Sequence, residues 1–205
     1  FEQILYQTSQ IVLLYYVTYV GAEALTARQY AMNISMFIYL FAMAIGTGTA
    51  IMIGHYVGAG EKELAYNQVW KSVKSALAVS LTMIVVVTLF REPLMGIFTD
   101  NERIIQIGAS VLVLSILLET GRTINITIIN ALRASGDARY PVKIGFISMI
   151  CIGLSVGYVL VFVLELGLVG VWLAIALDEW IRAILVLIRW KSRKWERFAI
   201  VTKEE

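Results

Sequence analysis

The chain has 205 residues, of which 59% are hydrophobic and 16% are charged, with a formal net charge of +2. A soluble domain carries about 25% charged residues, so this chain has more apolar surface than one core can bury, and a lipid bilayer is the expected solvent for the excess. The single cysteine, Cys151, excludes a disulfide framework within the chain, and the single histidine, His55, excludes a His-rich metal cluster.

The first half of the chain contains three predicted membrane spans. A spanning helix needs about 20 mostly apolar residues, and the first candidate covers residues 1–20. The second, residues 25–58, has no acidic residue, lysine or further arginine after Arg28 and is long enough to span with length to spare. The third, residues 68–90, has Trp70 near its start, which suits the headgroup region of a bilayer.

The second half contains three further predicted spans. Residues 102–132 are interrupted by Glu119 and Arg122, whereas residues 141–164 include an uncharged run of 21 residues. The last candidate, residues 168–190, also carries charged side chains. Polar or glycine-containing turns separate these segments and predict that consecutive helices run in opposite directions.

These segments predict an all-α integral membrane protein. We expect a six-transmembrane-helix bundle over residues 1–192, followed by a basic and charged cytoplasmic tail at residues 193–205. Phe1 is not a methionine, and it opens inside an apolar stretch with no signal-peptide pattern before it. We therefore expect the natural chain to be longer at the N-terminus.

The distribution of basic residues predicts the orientation. Alternate loops on one side carry twelve Lys and Arg residues, those on the other side carry three, and the remaining two are Arg122 and Arg182 within spans. Because basic residues favour the cytoplasmic side, both ends of the chain are expected in the cytoplasm, with the bundle in the cell membrane.

Charged side chains inside the predicted spans are candidate functional residues, because a charge at the bilayer centre costs about 2.5–3.5 kcal/mol on insertion scales. Glu119 and Arg122 are three residues apart and lie on one helix face, which Asn125 continues. Two interpretations stay open. The pair either fixes helix packing, or it forms a protonatable or substrate-contacting site.

The first span carries a polar stripe of Glu2, Tyr6 and Gln10, with Gln7 beside it. Glu2 has no basic residue near it in sequence, and a membrane acid without a partner can load and release a proton. We favour that role over an exposed position at the interface.

Two other polar sets are predicted to be mainly structural. Asn33 is suited to a hydrogen bond across helices or to a ligand. Asp178 and Arg182 are spaced i, i+4 with Glu179 adjacent, and we interpret them as an ion-pair set near the cytoplasmic end.

Motifs of soluble enzymes are absent from the sequence. There is no Walker loop, no Gly-x-Ser-x-Gly, no His-Glu-x-x-His and no Cys-x-x-Cys. We therefore expect neither an enzyme nor a bound metal or organic cofactor. The basic residues around Trp190 and Trp195 directly follow a spanning helix and are expected near the lipid headgroups. We therefore favour anionic lipid headgroups over nucleic acid as their partner.

Several segments carry a family resemblance. Residues 132–141 read Leu-Arg-Ala-Ser-Gly-Asp-Ala-Arg-Tyr-Pro, residues 54–60 read Gly-His-Tyr-Val-Gly-Ala-Gly, and residues 1–5, 24–34 and 188–195 contribute further matches. Together they resemble the multidrug and toxic compound extrusion (MATE) family of cation-coupled antiporters, whose loop motif is Leu-Arg-x-x-Gly-Asp-x-Arg-Phe-Pro and which usually has glutamine where His55 stands. The acid near the start and the basic ending match the C-terminal lobe, helices seven to twelve.

This resemblance implies a twelve-helix fold of two six-helix lobes around a central cavity. The implied function is efflux of amphipathic or cationic drugs by alternating access, in exchange for protons or sodium. The partners would be the missing N-terminal lobe, small organic cations and the lipid bilayer.

The resemblance also assigns roles to residues. Glu2 matches the helix-seven acid that some members use for cation binding. Arg122 stands where some sodium-coupled members have a helix-ten acid, and Glu119 lies one turn away. Glu2 and Glu119 are thus the coupling candidates. The candidates for lining the substrate cavity are Tyr6, Gln7, Asn33, Arg122 and Asn125.

Two alternatives to a drug antiporter stay open. One is a lipid-linked oligosaccharide flippase of the same superfamily, which would be expected to have a strongly basic cavity. The other is a non-transporting membrane scaffold subunit, for which Glu2 and Glu119 would be dispensable.

Overall fold

A computed structural model describes the backbone of residues 2–199 and the side chains of residues 7–199. Within those residues the chain forms helices and no strand, which confirms the predicted all-α fold class. The helices are α1 (Glu2–Val20), α2 (Ala22–Gly58), α3 (Lys62–Leu89), the short α4 (Arg91–Gly96), α5 (Glu102–Ala134), α6 (Arg139–Val163) and α7 (Gly167–Lys191).

The long helices fall on the segments predicted to span the membrane. Of the helices in the described part of the chain, α2, α3, α5 and α6 are long and apolar enough to cross a bilayer. Every stretch of bilayer length in α7 includes three charged residues near its middle, and α1 carries a polar N-terminal half. Length and composition therefore identify four of the spans, and six crossings stay a prediction.

Local sequence signals explain the break between α3 and α5. Pro93 lies in the first turn of α4, where the missing backbone N–H costs little, so it does not break that helix. An asparagine caps the start of α5. The Asn101 side chain accepts hydrogen bonds from the backbone N–H groups of Arg103, at 3.0 Å, and Ile104, at 3.4 Å.

Helix α5 forms the centre of the bundle and packs against α2, α3 and α7. Small residues allow two of these close approaches. A Cβ atom on Gly46 of α2 would lie 2.8 Å from Asn130 Nδ2, and a Cβ atom on Gly121 would lie 2.9 Å from Trp180 Cδ1 of α7. By contrast, Gly48 in the same stretch of α2 faces open space.

The outward surface of the bundle is strongly apolar. Large side chains that are at least two-fifths exposed include Phe37, Leu40, Phe41, Val85 and Leu89. A surface of this kind is unfavourable in water and suits lipid chains.

The chain after α7 folds back onto the bundle. A short 3-10 turn covers Lys194–Arg197, and the Trp195 ring is fully buried and stacked on Trp190 at 4.4 Å between ring centroids. We call residues 192–199 the C-terminal segment. The stacked tryptophans therefore fix this part of the predicted charged tail on the bundle.

Candidate functional site

A cavity of about 810 Å³ opens between α1, α2, α5, α6 and α7. This volume lies within the range of pockets that hold drug-sized molecules, about 300–1,000 Å³. Much of its wall is apolar, with methionines from α2 and α6 and isoleucines from α5. Its polar lining includes Gln29, Asn33, Glu119, Arg122, Asn125, Asn130, Asp178, Glu179 and Arg182.

The central pair of the cavity comes from α5. Glu119 and Arg122 lie near the middle of this helix, one turn apart, and Arg122 Nη1 is 2.7 Å from Glu119 Oε1. Glu119 is fully buried, whereas the Arg122 side chain is about one-fifth exposed. The predicted i, i+3 pairing is therefore present.

Glu179 of α7 also lines the cavity and contacts Arg122 of this pair. Its Oε2 accepts a hydrogen bond from Asn125 Nδ2 at 2.8 Å. Its Oε1 is 3.5 Å from Arg122 Nε and 3.3 Å from Arg182 Nη2. Glu179 thus connects a guanidinium of α5 to one of its own helix.

Asp178 extends the cluster to α6. Arg182 Nη2 lies 2.5 Å from Asp178 Oδ2, and Ser148 Oγ of α6 lies 2.5 Å from Asp178 Oδ1. The side chains form a row of alternating charge from Glu119 through Arg122, Glu179 and Arg182 to Asp178. Each charge in the row has an opposite neighbour, which is what retention of charges in lipid requires.

Two buried oxygens of this cluster lack a hydrogen-bond donor among the described residues. They are Glu119 Oε2 and Asn125 Oδ1. Leaving a buried acceptor unsatisfied costs about 1–3 kcal/mol, more for a charged group, so most such groups have a partner. Glu119 therefore has free capacity to accept a proton or a donor from a ligand.

The structure brings together four of the predicted site residues. Asn33, Glu119, Arg122 and Asn125 all line the cavity. Gln7 is exposed and is not part of the lining, because α1 turns Ser9, Gln10 and Leu13 toward the cavity instead. The side chains of Glu2 and Tyr6 lie outside the described residues.

Asp178, Glu179 and Arg182 also line the cavity, which their sequence pattern did not indicate. Their spacing predicts a structural ion-pair set near the cytoplasmic end of the last span, whereas α7 runs from Gly167 to Lys191 and places them near its middle. The sequence does contain a signal for this position. Asp178 and Glu179 follow the glycine turn at Gly167 by about half the length of a membrane span, which places both acids near mid-span.

In the described part of the chain, no three or more His, Cys, Asp or Glu side chains converge in a way that could hold a metal ion. The described side chains of the cavity pair charges: carboxylates that can accept a proton or a cation lie next to guanidinium groups that compete for them.

The segment at residues 132–141 forms a second feature, and of its residues only Arg133 lines the cavity. Gly136 has φ +93°, and a Cβ atom there would lie 2.6 Å from the Phe198 carbonyl oxygen. The buried Asp137 pairs with Arg189 at 2.7 Å between Oδ2 and Nε, and the guanidinium lies 4.7 Å from the centroid of the Tyr140 ring. The motif thus joins the α5–α6 loop to the end of α7 and to the C-terminal segment.

Comparison with known proteins identifies the family. A family model described as MatE matches residues 1–159. An uncharacterized transporter of Bacillus subtilis, YisQ, is 43% identical over 95% of this chain and 43% of its own length. A protein named as a probable multidrug resistance protein NorM, from Thermotoga maritima, is 30% identical over 99% of this chain and 44% of its own length.

Solved structures agree on the fold. The MATE transporter ClbM in complex with Rb⁺ superposes with a TM-score of 0.85 at 18% identity, covering 97% of this chain and 47% of that one. A MOP superfamily transporter from Pyrococcus furiosus gives a TM-score of 0.84 at 20% identity, covering 98% and 44%. The chain spans less than half the length of the relatives it matches, and it has the fold of one lobe of these transporters. The chain belongs to the MatE family.

Proposed function

We propose that this chain is the C-terminal lobe of a secondary active efflux transporter, which exports amphipathic or cationic compounds by alternating access. The observation that carries the proposal is the cavity of about 810 Å³ with a charged cluster at mid-helix depth. Its apolar walls suit the hydrocarbon part of a drug-sized molecule, and its buried carboxylates suit a positive group. A relative of 30% identity is named as a probable multidrug resistance protein, which supports the same substrate class.

Coupling to a cation gradient is the second part of the proposal. Glu119 is buried, and its Oε2 has no hydrogen-bond donor among the described residues, so this carboxylate is the coupling candidate of the lobe. Either a proton or a sodium ion would neutralise it, and no further cofactor is proposed. Glu2 stays a second candidate from the sequence.

A MATE-type partner lobe completes the proposed transporter. The described residues do not fully enclose the cavity, and a first six-helix lobe would close it. The proposed location is the cell membrane, with six crossings and both ends of this chain in the cytoplasm.

A fusion to green fluorescent protein tests this orientation. Green fluorescent protein does not fold when it is exported through the general secretory route, so a fusion after the last residue of this chain should fluoresce. A full-length fusion without fluorescence would contradict the orientation.

The flippase alternative is less well supported. A cavity for a lipid-linked pyrophosphate would be expected to carry an excess of basic side chains. Among the described residues, the lining contains three acids, Glu119, Asp178 and Glu179, and three arginines, Arg122, Arg133 and Arg182. Arg133 also lies three turns from Arg122, at the C-terminal end of α5.

Replacement of Glu119 tests the proposed function. In the full-length protein, Glu119→Gln is expected to reduce ethidium efflux from a pump-deficient host about tenfold or more, because the cavity loses its coupling carboxylate. The exposed Glu92→Gln on α4 is the matched control and should transport like the wild type. Undiminished efflux by Glu119→Gln would remove this residue from the mechanism, and absence of efflux by the wild type would contradict the antiporter itself.

A further inference from the structure

Arg122 lies between two carboxylates that belong to different helices. On α5 its Nη1 is 2.7 Å from Glu119, and toward α7 its Nε is 3.5 Å from Glu179. The first contact is a close ion pair and the second is at the limit of a hydrogen bond. Glu179 is thus a second counter-ion of Arg122, but the distance between them is longer than that of a close ion pair.

Glu179 is held in place independently of Arg122. Asn125 donates to its Oε2 at 2.8 Å, and Arg182 lies 3.3 Å from its Oε1. Arg182 in turn contacts Asp178, which receives the Ser148 hydroxyl of α6. A carboxylate fixed in this way can receive a guanidinium without moving a helix.

Glu119 Oε2 can accept a hydrogen bond from a ligand, but Arg122 on Oε1 neutralises the carboxylate and repels an organic cation, so the attraction between Glu119 and that cation is weak while the pair is intact. Release of Arg122 into a buried site without a counter-ion would also be strongly unfavourable. A second carboxylate within reach removes that penalty, since the guanidinium stays paired throughout.

We propose that Glu179 is a positioning residue that receives Arg122 when a cationic substrate takes its place on Glu119. This inference rests on the proposed transport function and deepens it by naming what makes the carboxylate available. It assigns to Glu119 the contact with the positive group of the substrate, and to Glu179 the contact with the displaced arginine.

A general negative field in the cavity is the competing explanation, and it predicts a different pattern. If only the total charge mattered, Asp178→Asn and Glu179→Gln would weaken cation binding equally, because each removes one negative charge from the lining. If Glu179 positions Arg122, loss of Glu179 is the more harmful change, and removal of Arg122 should compensate for it.

The test is ethidium binding to the full-length transporter in lipid nanodiscs, measured by fluorescence titration. Glu179→Gln is expected to raise the Kd about tenfold or more relative to the wild type, and Asp178→Asn to raise it clearly less. Glu179→Asp should recover most of the affinity. The double variant Arg122→Gln/Glu179→Gln should bind within about threefold of the wild type, because Glu119 then has no competing arginine.

The comparison of Asp178→Asn with Glu179→Gln decides between the two explanations, and the double variant tests the positioning role itself. A double variant as weak as Glu179→Gln, or equal losses in Asp178→Asn and Glu179→Gln, would overturn the positioning role. If Glu179→Gln is not monodisperse, Arg122→Gln carries the test, since it should bind ethidium at least as tightly as the wild type, and weaker binding would contradict the inference. A wild type that binds no ethidium would overturn the proposed function and this inference with it, whereas binding by the wild type with no effect of Glu179→Gln would overturn the inference alone.

Discussion

Asp137 illustrates how a single residue of the 132–141 loop stabilises the lobe. Its carboxylate is 2% exposed and pairs with Arg189 at 2.7 Å. Removing one partner of a buried ion pair costs about 3–5 kcal/mol, and the partly exposed Arg189 with its Tyr140 contact reduces this to about 2 kcal/mol. Asp137→Asn is therefore expected to lower the thermal midpoint in detergent by about 5 °C.

The control for this change is Asp100→Asn, which alters an exposed carboxylate in the loop before α5. Fluorescence-detected gel filtration after heating measures both midpoints. Equal midpoints for Asp137→Asn and the wild type would mean that the Tyr140 ring alone is enough to fix Arg189.

The residues of the cavity show what sequence could and could not predict at this scale. Glu119 and Arg122 pair on one helix, so their spacing of three predicts the contact. The contact of Glu179 with Arg122 depends on how α7 is rotated and shifted against α5, and no periodicity within either helix determines that. The prediction that Gln7 lines the cavity was wrong for the same reason, because the rotation of α1 decides which polar side chain faces the cavity.

At the scale of helices, the contact between α2 and α5 depends on Gly46. A Cβ atom there would lie 2.8 Å from Asn130 Nδ2 and 3.1 Å from Ile126 Cγ2, whereas one on Gly48 would contact nothing within 4 Å. Gly46→Val is expected to destabilise the bundle by about 2 kcal/mol more than Gly48→Val, because overpacking adds to a shared change in helix propensity. Thermal midpoints of the two variants measure the difference, and equal midpoints would refute the close approach.

The C-terminal segment is a second contact between elements. Glu63 at the start of α3 accepts two hydrogen bonds from the Arg193 guanidinium, one of them at 2.8 Å. The same guanidinium lies 4.2 Å from the centroid of the Tyr66 ring, and Lys62 donates to the Glu196 carbonyl oxygen at 3.3 Å. Arg193 and Glu196 of the C-terminal segment therefore hold it against the start of α3.

Loss of the Glu63 contact should loosen this segment. Exposed ion pairs contribute about 0–1 kcal/mol, so Glu63→Gln is expected to increase trypsin cleavage after Arg193 and Lys194 about threefold. Glu61→Gln changes an exposed acid in the same turn and provides the control. If both variants are cleaved at the wild-type rate, Trp195 is sufficient to dock the segment.

The sequence predicted the long helices but not this docking. Apolar length and the polar turns between helices are local properties, which single segments reveal. The burial of Trp195 against Trp190 needs a left-handed residue, Arg193 with φ +55°, to reverse the chain just after α7. A basic composition does not indicate that reversal, so the sequence predicts a charged tail without showing where it docks.

At the scale of the whole molecule, the lobe has two surfaces that are stable in different environments. Its outer face carries exposed apolar side chains such as Phe37 and Val85, which suit lipid. Its cavity face carries a row of charges and amides that lipid would solvate poorly. A polar surface of this kind is stable in a membrane only when water or protein covers it, which is the physical reason for expecting a second lobe.

Transport should therefore require more than this chain. Alternating access needs a cavity that closes on one side while it opens on the other, and a cavity with one open wall cannot separate two compartments. We expect the purified 205-residue chain in liposomes to show no gradient-dependent ethidium uptake, and the same chain co-reconstituted with a first MATE lobe to show it. Empty liposomes and the Glu119→Gln chain with the same lobe are the controls, since both should stay at background. Uptake by the chain alone, under a proton or sodium gradient, would mean that two copies of this lobe can cover each other's cavities.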